Sequence, residues 1–331
     1  MSLTDTFSAL PRLGLGLAAL GRPGYINLGH GQDLPEDHDP AAMEAQTHEM
    51  LDLAWEHGVR YFDVARSYGR GEEFLGNWLR KRTFSSASPT VGSKWGYTYT
   101  ADWQVQAEHH EIKEHALPVL DRQWQESQAN LGTHLDLYQI HSATLESGVL
   151  ARTEVLHRLA ELKAAGMGIG LSLSGPQQAA TLGKAMQVSV DGVRLFDAVQ
   201  ATFNLLEQAA QPALRDAAEE GWVIIVKEAL ANGRLTERNE ASDFQSSKQA
   251  LSEAAQDLKI SLDALALAWV LQHPWVHMVL SGAATPAHLN SNVQALDKKL
   301  VIPSGLQTSL GRQLKEKSAN YWHIRKALAW N

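Results

Sequence analysis

Asp63, Tyr68, Lys94 and His141 carry side chains able to move a proton, and each stands at or just beyond the end of a short apolar run. Asp63 closes the run in VRYFDVARSYG, and Tyr68 follows in the next loop. TVGSKWG places Lys94 at the end of its run, and LDLYQIHSA does the same for His141. A carboxylate, a phenol, an ammonium and an imidazole gathered at one place can donate, accept and orient protons at a reacting oxygen. Taken singly, each has a structural account: Asp63 as a helix cap, Tyr68 as packing, Lys94 as a surface charge, His141 as a satisfied core histidine. Four of them at successive run ends argue for one shared rim.

The elements that must position them are short runs rich in Val, Ile, Leu and Phe at 13–17, 59–64, 89–94, 135–141, 169–173, 196–200, 222–226 and 277–280. Most are continuous rather than alternating, as expected of parallel strands covered on both faces. Helical patterns at 42–57, 153–165 and 212–220 each stop at a glycine, Gly58, Gly166 or Gly221, where a left-handed cap is wanted. This alternation predicts an α/β protein, a closed (β/α)8 TIM barrel forming a single domain over residues 1–331, with an open doubly wound sheet as the alternative. In a barrel the loops that follow strands form the catalytic face. The polar stretches 21–40 and 235–257 then belong there, and Trp95, directly after a strand end, is expected to wall a substrate pocket.

Other patterns carry less. Gly14, Gly16 and Ala19 resemble a dinucleotide fingerprint, but Gly21, Pro23 and Gly24 follow where a helix would have to open. His109, His110, Glu111, Glu114 and His115 read as a solvated helix face rather than a metal site, and Pro274 breaks any helical pairing of His273 with His277. No metal is expected.

Composition narrows the class. The chain has 331 residues, 44% hydrophobic and 20% charged, which rules out a disordered or fibrous protein. A net charge of -8 argues against general binding to nucleic acid or anionic membrane. With no cysteine, disulfides, thiolate metal sites and a cysteine nucleophile are excluded. No apolar stretch is long enough to span a bilayer, and the first residues lack a basic leader, so a cytoplasmic location is expected.

The segments LGLGLAALG, GVRYFDVARSYGRGEEFLGNWL, VGSKWG, LDLYQIHSA, GIGLSLSG, VQATFNLLE, VIIVKEALANGRL and SGAATPAHLNSN run in order along nearly the whole chain. Together they resemble the aldo-keto reductase superfamily. The resemblance implies hydride transfer between a nicotinamide cofactor and a carbonyl or alcohol carbon. It matches Asp63, Tyr68, Lys94 and His141 to that family's catalytic tetrad. Tyr68 would then be the proton donor or acceptor. Lys94, held by Asp63, would lower the phenol's pKa, and His141 would orient the substrate oxygen.

For the cofactor, the resemblance points to NADP, with NAD possible. Ser172 and Gln200 match polar contacts to the carboxamide, although Leu173 stands where the family usually has Asn. Lys227, followed by Glu228, replaces a Tyr that in many members stacks on the nicotinamide ring. Gly233 and Arg234 match a pyrophosphate clasp. Ser281, Gly282, His288 and Asn292 match the final turn and helix, where Thr285 reads as an N-cap and Pro286 as the first helical residue. A neutral His288 is a weaker phosphate partner than a guanidinium. Tyr25, Ile26, Trp95, Tyr97, Tyr321 and Trp322 are the expected pocket residues for a small aldehyde, ketone or aldose. Two other readings compete: a cofactor-binding redox sensor or regulatory subunit, separated by turnover on a carbonyl panel, and a metal-dependent barrel enzyme, separated by sensitivity to chelators.

Overall fold

The computed structural model describes residues 2–36, 38–84 and 88–331. Eight strands close a barrel: β1 (Leu13–Gly16), β2 (Tyr61–Asp63), β3 (Thr90–Trp95), β4 (Leu135–Ala143), β5 (Gly168–Leu173), β6 (Ala198–Thr202), β7 (Val223–Lys227) and β8 (Met278–Ser281). Each pairs in parallel with its neighbours in chain order, and β8 closes on β1 with Leu13 opposite Val279.

The helices are α1 (Leu3–Ala9), α2 (Pro40–Glu56), α3 (Gly71–Arg80), α4 (Leu117–Leu131), α5 (Thr153–Ala164), α6 (Gln178–Met186), α7 (Gln211–Glu219), α8 (Gln245–Leu258), α9 (Leu262–Leu271), α10 (Pro286–Asn292), α11 (Ser304–Leu314) and α12 (Ser318–Ala327). The expected (β/α)8 barrel is therefore what the chain forms. Gly58, Gly166 and Gly221 do end α2, α5 and α7, at φ of 86°, 101° and 81°, a backbone region that a Cβ disfavours.

Period-two alternation divides the strand side chains between two environments. One parity faces the helices, as with Leu15, Phe62, Ile140, Val199, Ile224 and Val279. The other faces the barrel axis and is apolar in its lower layer, where Tyr61, Leu137, Ala198, Val223, Ile225, Met278 and Leu280 pack together. Phe7 of α1 joins this layer, its ring 4.9 Å from that of Tyr61, and so plugs the amino-terminal mouth. The same parity continued toward the carboxyl ends is polar: Asp63, Lys94, Gln139, His141, Ser172, Gln200, Thr202 and Lys227. A dry floor thus lies under a polar rim.

Some boundaries move. Strand β6 runs two residues further than its apolar run, so Gln200 lies inside it rather than at its end. Much of the polar stretch at 235–257 is α8, because its small and apolar residues Leu251, Ala254 and Ala255 recur at helical spacing. The His109–His115 segment is not helical. Glu111–Lys113 pairs antiparallel with Tyr97–Tyr99 in a hairpin after β3, and only from Ala116, just before Pro118, is a helix begun. The loop at 21–40 is irregular apart from a short turn at His30–Gln32, and its residue 37 lies outside the described residues. Among the described residues no helix is long and apolar enough to cross a membrane.

Candidate active site

The rim is organised around a buried ion pair. Lys94 Nζ meets Asp63 Oδ1 and also donates to the Val64 carbonyl at 2.8 Å. Asp63 Oδ2 accepts from Gln200 Nε2 at 2.8 Å and from the Tyr61 hydroxyl at 3.1 Å. Taking two charges out of water is costly, and such a pair holds only where the remaining lone pairs and protons are satisfied. Gly92 makes this possible, since a Cβ there would lie 2.2 Å from the Tyr61 hydroxyl.

Tyr68 sits above the pair, with the Lys94 ammonium 4.9 Å from its ring centroid and the His141 ring at 5.6 Å. Its loop is clamped by the loop after β1. Arg70 N–H donates to the Gly21 carbonyl at 2.8 Å, and a Cβ on Gly21 would meet the Tyr68 carbonyl at 2.4 Å. Among the described residues none hydrogen-bonds the Tyr68 hydroxyl, and Tyr68 lines the cleft described below. Burial and the Asp63 carboxylate push its pKa up, while the Arg22 guanidinium opposes them. The sequence reading expected the reverse, a phenol acidified by Lys94. The charge of Lys94 is matched by Asp63, so the resting phenol is neutral.

His141 is also neutral, because burial and then the cations Lys94, Arg22 and Lys227 disfavour its charged form. Its carbonyl accepts from His115 Nε2 at 2.8 Å, and Nδ1 lies 3.4 Å from Ser67 Oγ. The next residue, Ser142, turns the chain at φ 51°.

A cleft of about 640 Å³ opens over these groups and is lined by Asp63, Tyr68, His141 and Gln200. Tyr25, Ile26, Tyr97, Lys227 and Gly233 line it as well, and Ser281, Gly282, His288 and Asn292 line it further along.

The sequence model of the aldo/keto reductase family matches residues 13–304. The chain belongs to the aldo/keto reductase family. It is 25% identical to D-threo-aldose 1-dehydrogenase of Pseudomonas sp, over 93% of this chain and 97% of that protein. It is 23% identical to pyridoxal 4-dehydrogenase of Microbacterium luteolum, over 91% of this chain and 95% of that protein. Its fold matches an aldo-keto reductase from Bacillus halodurans, in a holo form, with a TM-score of 0.69 at 19% identity and 92% coverage of each chain. This aldo/keto reductase is an oxidoreductase enzyme of carbonyl or alcohol groups.

Several expected residues have other work in this aldo/keto reductase. Ser172 does not line the cleft; its hydroxyl accepts from the Ser142 N–H at 2.8 Å and supports the turn after His141. Arg234 points away and pairs with Glu316, its guanidinium 5.6 Å from the Tyr321 ring. Trp95 walls no pocket, being fully buried with its ring 5.6 Å from that of His115. Tyr321 and Trp322 are buried too, and the tail reaches the cleft through Arg325, Lys326, Leu328 and Trp330 instead. Asn292 borders the cleft, but its amide is engaged by Ser281 at 2.7 Å and Asp263 at 2.6 Å.

Lys227 donates to Thr202 Oγ1 at 2.8 Å and lies 3.5 Å from Glu228, which Arg325 grips through both Nε and Nη2. Burial lowers the Lys227 pKa to about 8. Burial alone would raise Glu228, yet Arg325 and Lys227 hold it down to about 2.

Arg22, Asp33 and Arg238 are among the cleft residues that escaped the sequence reading. Arg238 pairs with Asp33 across the cleft mouth, and Asp33 lies 3.9 Å from His288. Arg22 lies beside Tyr68. A basic residue five positions beyond Gly233 was a usable signal for Arg238. Among the described residues no three His, Asp or Glu side chains are arranged to hold a metal.

Proposed function

We propose that this aldo/keto reductase interconverts an aldehyde, ketone or aldose with its alcohol or oxidised form, using NADP, with NAD as the alternative, and Tyr68 as proton donor and acceptor. One observation carries the reading: Tyr68, whose hydroxyl has no hydrogen-bond partner among the described residues, lines the cleft with its ring against Lys94 and His141. The cleft suits a dinucleotide. Gly16, Ala18, Gly282 and Ala283 keep its wall thin, and a Cβ on Gly282 would meet nothing within 4 Å. Arg238 and His288 stand along it for phosphate, and Gln200 and Lys227 stand near Tyr68 for the nicotinamide end.

A bound nicotinamide supplies or accepts the hydride. The protein supplies orientation and the proton. Neutral His141 offers an N–H to the substrate oxygen, and Tyr68 passes its proton to that oxygen in reduction and recovers one in oxidation. Lys94, fixed by Asp63, steadies the phenolate that remains. In this reading the chain is a single domain over residues 1–331, with α11 and α12 packed on the core.

Fluorescence titration with NADPH and NADH separately, followed by turnover on a carbonyl panel, tests the reading. Binding without turnover would return the regulatory alternative. Because the Tyr68 pKa lies above its ordinary value, the phenol stays protonated through neutral pH. Reduction is therefore expected to be level there and to fall at alkaline pH, whereas oxidation, which needs the phenolate, rises with pH. Profiles of kcat in both directions check this. His288→Arg is expected to raise the preference for NADPH over NADH, read as the ratio of the two Kd values. An unchanged ratio removes position 288 from phosphate selection.

A further inference from the structure

Arg22 follows β1 in the sequence Gly21-Arg22-Pro23-Gly24 and is almost wholly buried, 2% exposed. Its guanidinium lies among three aromatic rings, 5.1 Å from the centroid of Tyr68, 5.2 Å from Tyr25 and 4.9 Å from Trp330. Both its hydrogen bonds run through Nη1, to the Ser67 carbonyl at 3.0 Å and to Glu111 Oε2 at 2.9 Å. Its Nε is buried with no hydrogen-bond partner among the described residues. Burying a guanidinium this incompletely satisfied is expensive, so its place calls for an account beyond packing.

The surroundings fix it against Tyr68. Ser67, which it holds, directly precedes Tyr68. A Cβ on Gly69 would lie 2.9 Å from the Arg22 Cβ and 2.5 Å from the Gly21 carbonyl, so the two loops meet backbone to backbone. Glu111, on the hairpin, pairs with the same Nη1 that holds Ser67. The charged and titratable groups around Tyr68 include Tyr61 and Asp63 on β2, Lys94 on β3, Arg22 and Tyr25 after β1, Glu111 on the hairpin, His141 on β4 and Glu228 after β7. Lys94 is matched by Asp63, Arg22 by Glu111 and the Glu228 carboxylate by Arg325, and the two cations Lys94 and Arg22 both lie against the phenol ring.

We propose that Arg22 is a positioning residue for the proton relay: a second buried cation, beside Lys94, that holds Tyr68 in line and stabilises it once its proton has left, with Glu111 setting how much of that charge Tyr68 feels. This rests on the oxidoreductase reading above. A cation close to a phenol favours the phenolate, and an anion behind the cation offsets it. Arg22 lowers the Tyr68 pKa and Glu111 raises it, as their positions require.

The test is the pH dependence of alcohol oxidation at saturating NADP or NAD, in Arg22→Met, Arg22→Lys and Glu111→Gln. Arg22→Met is expected to move the rising limb of kcat upward by about one pH unit, so that oxidation at neutral pH falls about tenfold and recovers in alkali. Glu111→Gln is expected to move the limb downward, and Arg22→Lys to stay near the wild type. A second readout needs no turnover. With tyrosines labelled at Cζ, the Tyr68 resonance, assigned by its loss in Tyr68→Phe, shows more phenolate at a given alkaline pH in Glu111→Gln and less in Arg22→Met. Movement of both variants in the same direction, or of neither, overturns the proposal. A wild type with no turnover on any substrate would sink the oxidoreductase reading instead, and the resonance comparison would still judge Arg22.

Discussion

Tyr68→Phe is expected to lower turnover by at least about a hundredfold, the lower range for a positioned acid or base, and to leave cofactor affinity nearly unchanged. The substitution removes one oxygen and keeps the ring. The ring carries the contacts with Lys94, His141 and Arg22, so the packing that shapes the cleft survives. The lost hydroxyl has no hydrogen-bond partner among the described residues, so no buried group is orphaned and stability should hardly move. The prediction is therefore a loss in kcat alone, read by steady-state kinetics beside a binding titration. Equal turnover in the two proteins would remove Tyr68 from the chemistry.

Lys94→Met is the second large effect, and it falls on two quantities. Asp63 would keep Tyr61 and Gln200 as donors but lose its counter-ion while only 2% exposed. Removing one partner of a buried pair typically costs about 3–5 kcal/mol, so the denaturant midpoint should fall strongly. Turnover should fall as well, because no ammonium then steadies the phenolate. Adding Asp63→Asn separates the two. The double variant buries no unpaired charge and should regain much of the stability while remaining slow. Turnover restored together with stability would mean that the pair serves only the fold. A double-mutant cycle on both readouts measures the difference.

What was legible in the chain follows from these same residues. The gathering of Asp63, Lys94 and His141 at one rim was legible because each is the polar residue that ends an apolar run, a feature of local sequence alone. Tyr68 was legible as the loop residue next to them. Gly58, Gly166 and Gly221 marked helix ends because a left-handed cap is also local. Residues whose roles depend on distant partners were read wrongly. Arg234 looked like a phosphate ligand until Glu316, far along the chain, claimed it. Trp95 stood at a strand end, but the hairpin and His115 cover it. Ser172 was diverted by the left-handed turn at Ser142, which no local pattern announces.

Arg22 went unread for the same reason, since a basic residue in a Gly-rich loop reads as solvated until its partner Glu111 is known, whereas Arg238 was passed over although its spacing from Gly233 was a signal. The acidity of Tyr68 was misjudged because type and spacing reveal the neighbouring ammonium and its carboxylate but not the depth of burial, which is the larger influence.

If this cleft joins hydride transfer at carbon to proton transfer by Tyr68 at oxygen, one single-turnover experiment will show it: dihydronicotinamide dideuterated at C4, bound to the wild-type protein and mixed with an aldehyde. The dihydronicotinamide absorbance is expected to fade in step with formation of one alcohol per cofactor, with deuterium on the carbinol carbon. Cofactor that binds tightly yet passes no deuterium to any aldehyde, ketone or aldose would contradict it.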